Sequence, residues 1–150
     1  MADSQPAAPR RKGGKEEGLD YAALAEFRYA IRKFLAFSEE AATQAGLTSQ
    51  QHQALLTIKG VGAGAGISVG VLAQRLLIRQ HTAVELVDRL ERSDLVRRMP
   101  DAQDKRRVLV TLTGEGEKRL KQLSAVHLDE LRAIGPTLAD ILATLQPAQS

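Results

Sequence analysis

The chain has 150 residues, of which 43% are hydrophobic and 26% charged, a composition that can bury one core and excludes a wholly disordered or fibrous chain. It contains no cysteine, which removes disulfides, thiolate metal sites and thiol chemistry together. Its net charge of +3 is concentrated: residues 75–107 carry nine cations against six carboxylates, and eight of the nine are arginine, whose planar fork suits phosphate oxygens and guanine edges.

Residues 1–18 are rich in Pro, Gly, Ala and charge without apolar periodicity, and are expected to form a disordered arm. The arm has basic residues but no apolar segment behind them, unlike a secretory signal, and apolar runs such as Ala54–Leu56 are only a few residues long. A membrane span takes about 20, so no membrane partner and a cytoplasmic location are expected.

From Asp20 onward, Leu24, Phe27, Ile31, Phe34 and Leu35 recur at helical spacing, predicting a helix to about Gln44, closed by Gly46, with one apolar stripe for a partner copy or for the chain's own core. Thr48, with Gln51 three residues on, reads as a capping box opening a second helix that reaches about Lys59. Gly60, Gly62, Gly64 and Gly66 then alternate in what is expected to be a flexible connector. Their spacing does not match a dinucleotide-binding loop.

The segment from Ile67 to Leu77 contains a short helix with Leu72, Ala73 and Leu76 inward. After a break at residues 77–79, a second helix over about 80–93 places Ala83, Leu86, Val87 and Leu90 on one face. Two such helices around a tight turn make a helix-turn-helix. The opposite face of the second helix carries His81, Glu85, Arg89 and Arg92, a surface for a polar, anionic partner. The β-branched runs at 95–99 and 107–112 predict a hairpin with a charged tip at 100–106. Thr113 can cap a helix from Gly114 to about Ala133. Gly135-Pro136 is expected to interrupt it and start a short terminal helix with Leu138, Ile141, Leu142 and Leu145.

A helix-turn-helix followed by a hairpin is a winged helix. The ordered elements Leu72-Ala73, Val87-Asp88-Arg89-Leu90, Leu95-Val96, Asp104-x-Arg106 and Leu112-Thr113-x-x-Gly116 resemble the MarR family of bacterial transcription regulators over about residues 20–146. Two departures stand out, a longer glycine run before Ile67 and Ser93-Asp94 where glycine is frequent. The resemblance implies a mainly α fold with a small β-hairpin wing, in one domain over 19–150. Its DNA-binding lobe would lie at about 47–113, between dimerisation helices at about 20–45 and 114–146.

It further implies a homodimeric repressor, or less often activator, that binds double-stranded DNA. Arg79, Gln80, His81, Thr82 and Glu85 would take the groove-facing positions, Arg106 the wing position that reaches the minor groove, and Asp104 the support of the wing. Arg89, Lys105 and Arg107 complete the expected DNA-facing set. A small effector, aromatic or phenolic, would lie in a crevice between the dimerisation helices and the winged helix, with Tyr21, Phe27, Tyr29, Phe34, His52 and Gln53 as candidates. No cofactor is expected. No metal is expected either, since His52, His81 and His127 fall on three predicted helices without partners at metal spacing, and His127 reads as a hydrogen-bonded core histidine.

Two readings from other classes compete. An enzyme needs a nucleophile with its base or paired carboxylates in a cleft, but Asp101 with Asp104 and Glu115 with Glu117 lie on a turn and at a helix start, where acids serve as caps. A winged helix that binds protein instead of DNA would show no salt-dependent affinity for duplexes.

Overall fold

The computed structural model describes residues 19–146, and the expected disordered arm lies outside the described residues. The elements are α1 (Tyr21–Gln44), α2 (Ser49–Gly62), α3 (Val69–Leu76), α4 (Gln80–Arg92), β1 (Val96–Pro100), β2 (Val108–Leu112) and α5 (Gly114–Leu145). β1 and β2 pair antiparallel, from Val96 opposite Leu112 to Pro100 opposite Val108. The result is a mainly helical winged fold in which α2, α3, α4 and the hairpin close around one core, with α1 and α5 packed along each other beside it.

Local chemistry sets most helix starts. Asp20, Thr48, Ser68 and Thr113 each accept a backbone N–H of the first turn, and Thr48 forms the reciprocal capping box with Gln51. Leu55, Ile58, Leu72, Val87, Leu90, Val96 and Val110 are fully enclosed and join α2, α3, α4 and the sheet. Among the described residues, no helix is long and apolar enough to cross a membrane.

Two expectations are corrected. The glycine run is not a free connector: α2 continues to Gly62, Ala63 turns left-handed, and Gly64 and Gly66 take φ of +87°. Ile67 then pairs with Val110 in both directions, at 3.1 and 2.8 Å, adding a short rung to the sheet. A Cβ at Gly66 would stand 2.6 Å from Thr111 Cγ2 and 2.7 Å from the Val110 carbonyl oxygen, so the chain can approach β2 only with glycine there.

Next, Gly135-Pro136 does not end α5, which runs unbroken to Leu145. Proline forfeits one backbone bond and its ring crowds the carbonyl four residues back, but the further clash with the Cβ of the preceding residue is absent because residue 135 is glycine. Ile134 and Ile141 border α1 on either side of the proline, so packing between the two long helices offsets the lost bond. Of the α1 stripe, Leu24, Ile31 and Leu35 are exposed and Phe27 and Phe34 half-buried, while the buried positions are Ala23, Ser38 and Ala42. α5 likewise exposes Val126, Leu128, Leu131 and Leu142. Two helices packed side by side leave the outer flank of each without cover inside one chain.

Candidate nucleic-acid interface

α4 is held by its inner face. Ala83, Leu86, Val87 and Leu90 are buried, which turns His81, Glu85, Arg89 and Arg92 to solvent, with Gln80 exposed and Thr82 half-buried at the first turn. Unlike the other four helices, α4 begins without a side-chain cap, because Arg79 at its N-cap position offers no acceptor. The turn before it is closed by Ile78 N–H donating to the Ala73 carbonyl at 3.0 Å, which requires Leu77 to be left-handed, at φ 57°. A non-glycine residue there costs about 1–2 kcal/mol.

The wing tip is self-braced. The Asp101 N–H donates to the Arg107 carbonyl and the Arg107 N–H to the Asp104 carbonyl, both at 2.9 Å. Asp104 Oδ1 accepts the Arg106 N–H at 3.1 Å and lies 3.4 Å from Arg106 Nε, leaving that arginine's side chain 94% exposed. Lys105 and Arg107 are exposed beside it.

A residue that sequence reasoning did not single out joins wing to helix. Arg98 on β1 donates Nη2 to Asp88 at 2.7 Å and Nη1 to Glu91 at 3.0 Å. The signal was present, as Asp88 and Glu91 stand one turn apart on one helix with an arginine in the strand that follows. Electrostatically, Arg98 neutralises two of the three α4 carboxylates. Among the described residues, Arg79, Arg89, Arg92, Arg97, Lys105 and Arg107 form no ion pair, so the exposed side of α4 and the wing is strongly positive.

The effector candidates are not gathered in one place. Phe34 and His52 line a cavity of about 220 Å³ at the junction of α1, α2 and α5, together with Leu56, His127, Leu128 and Leu131. Tyr29 lies under Lys33 and borders a different cleft between α1 and α5, Phe27 lines neither, Tyr21 is exposed at the start of α1, and Gln53 is exposed and bonded to Ser49. The fold also brings together two histidines expected to be apart. The rings of His52 and His127 lie 4.6 Å centroid to centroid. His127 Nδ1 is 2.7 Å from the Leu123 carbonyl, so that nitrogen carries the proton, and Nε2 accepts from Ser38 Oγ at 2.8 Å. His127 is thus a satisfied core histidine. No group of three metal-ligating side chains occurs among the described residues.

His52 is only 3% exposed and, among the described residues, its Nδ1 has no partner. Burial first, and the neighbouring His127 second, hold its pKa below the ordinary 6.5. An unfolded chain therefore takes up this proton before the native one, and the stability present above pH 6.5 is lost as the pH falls through the folded value. Melting temperature is expected to drop between about pH 7 and about pH 5, and the His52→Phe variant to show a flatter profile. Equal slopes in both proteins would show that His52 does not couple to folding.

Residues 45–107 match the model of the MarR family. The chain is 32% identical over 88 residues to the HTH-type transcriptional regulator PecS of Dickeya dadantii, covering 59% of this chain and 53% of that one. It is 38% identical over 71 residues to the transcriptional activatory protein BadR of Rhodopseudomonas palustris, covering 47% and 41%. The chain thus spans about half the length of these curated relatives. In fold it is similar to MepR of Staphylococcus aureus, described as a transcription regulator of the multidrug efflux pump MepA, with a TM-score of 0.67 at 23% identity over 85% of this chain and all of that one. A MepR variant has been solved bound to an oligodeoxyribonucleotide, with a TM-score of 0.63.

Proposed function

We propose that the chain is a regulator of the MarR family that binds duplex DNA sequence-specifically as a homodimer and represses transcription until a small effector binds, a reading supported by the match of residues 45–107 to that family's model. The observation that carries this reading is the outward face of α4, where Arg89 and Arg92 have no carboxylate partner among the described residues, beside a braced wing that projects Arg106 into solvent. α4 would enter the major groove and Arg106 the adjacent minor groove. One short helix makes only a few base contacts, each good pair contributing about 1–3 kcal/mol. Two copies about a two-fold axis double them and demand a pseudo-palindrome with half-sites about one helical turn apart. The uncovered apolar flanks of α1 and α5, Leu24, Ile31 and Leu35 with Val126, Leu128 and Leu131, supply the surface such a pair would bury.

The cavity under Phe34 and His52 supports an effector of single-ring aromatic or phenolic type, since an apolar cavity of roughly 150 Å³ already accepts benzene. It lies where the long helices meet α2, so its occupant would bias the spacing of the two recognition helices, with a coupling of about 1–3 kcal/mol. The carboxylate pairs that a catalytic reading needs are otherwise engaged: Asp101 accepts from Gln103, Asp104 from Arg106, Glu115 pairs with Arg119 and Glu117 with Lys59.

The test is a gel-shift titration across salt with duplexes enriched from a randomised pool. The expected result is a selected pseudo-palindrome whose log affinity falls against log salt with a slope of about −0.9 per phosphate neutralised, together with a dimer in sedimentation. Absence of any shift at low salt would overturn the reading in favour of a protein-binding winged helix.

A further inference from the structure

Leu77 is the most exposed large apolar side chain described, at 92%, and it occupies left-handed backbone where glycine or asparagine would be at ease. Its position cannot relax. The Leu77 N–H donates to the Gln74 carbonyl at 3.3 Å, and Ile78, next in the chain, is half-buried against the core, so Leu77 is held pointing away from it. On either side stand Arg75 and Arg79, both exposed and, among the described residues, without ion pairs. Three residues on, α4 begins with no side-chain cap. The head of α4 is therefore locally unfavourable twice, in backbone strain and in an uncovered leucine. Strain that the rest of a fold maintains is a sign of function.

An apolar group set between cations at the head of a groove-facing helix has one chemical counterpart on duplex DNA. Of the four bases, only thymine presents an apolar group in the major groove, its 5-methyl. We propose that Leu77 is a specificity-determining residue that covers a thymine methyl at the edge of each half-site, while Arg75 and Arg79 reach the flanking phosphates. This inference rests on the DNA-binding reading above. It assigns to the turn, outside the expected groove-facing set on α4, a base preference of its own.

Duplexes enriched by the wild-type protein are resynthesised with deoxyuridine replacing thymidine at one symmetric pair of positions at a time, which removes only the methyl groups. The wild-type protein is expected to lose affinity roughly fourfold per methyl at one such pair, and to be indifferent at the rest of the turn-proximal positions. Leu77→Gly and Leu77→Asn, both compatible with left-handed backbone, are expected to bind thymine and uracil duplexes alike while keeping the salt slope of the wild type. Variants that match the wild type in affinity and in uracil sensitivity overturn the role of Leu77 alone. A wild-type protein that enriches no duplex brings down the DNA-binding reading with it.

Discussion

Gly116→Ala is expected to destabilise the fold by roughly 3 kcal/mol, the upper end for overpacking, although alanine is normally the better helix residue by about 1 kcal/mol. Gly116 is buried in the first turn of α5, directly against the chain leaving α4. A Cβ there would fall well inside contact distance of the Leu95 carbonyl oxygen, 3.1 Å from the Leu95 carbonyl carbon and 3.4 Å from Leu112 Cβ. None of these can yield easily. The Leu95 carbonyl accepts the Thr113 N–H at 3.0 Å, Thr113 Oγ1 donates to the Asp94 carbonyl at 2.6 Å, and the same hydroxyl accepts the Gly116 N–H at 3.1 Å. Asp94 is itself left-handed at φ 57°, so this junction already holds strain. For a chain of this size the melting temperature should fall by about 6–12 °C. A change smaller than about 2 °C would mean that α5 can slide from the chain leading into β1 freely, contrary to the two hydrogen bonds by which Thr113 fastens it to Asp94 and Leu95.

Arg106→Ala should weaken binding to an enriched duplex by about tenfold per wing, and hence about a hundredfold for a dimer carrying two, while leaving the melting temperature unchanged. The asymmetry follows from the geometry. The Arg106 side chain is 94% exposed and its one ion pair, with Asp104 at 3.4 Å, lies at the surface, where such pairs contribute little to stability. The backbone N–H of residue 106 would still donate to Asp104 and keep the turn closed. The salt slope should become shallower by about one unit per lost phosphate-proximal cation. If affinity holds and the slope is unaltered, the wing does not reach DNA, and the cations of α4 would have to account for binding alone.

Much of this architecture is written in short-range chemistry. The capping box at Thr48 and Gln51, the cap at Thr113, the inner face of α4 and the two halves of the hairpin were all legible, because caps act over three residues and side-chain periodicity over one or two turns. The candidate interface inherits that legibility, since the residues opposite a buried face must point outward. What failed to read out were contacts between distant segments. Gly66 looked like slack and is a close approach to β2. Gly135-Pro136 looked like a stop and is carried through by packing against α1. His52 and His127 looked isolated and lie ring beside ring, tilted at 42°.

The amino-acid order by itself determined where the helices begin, the wing and the arginine-rich outer face, because each depends on neighbours within a few residues. Only the folded chain decided which glycines are indispensable, that Arg98 clamps the wing to α4, and that the apolar flank of α1 stays uncovered. Those outcomes depend on which surfaces meet across long sequence separations, and steric exclusion and burial are properties of the pair that no single segment encodes.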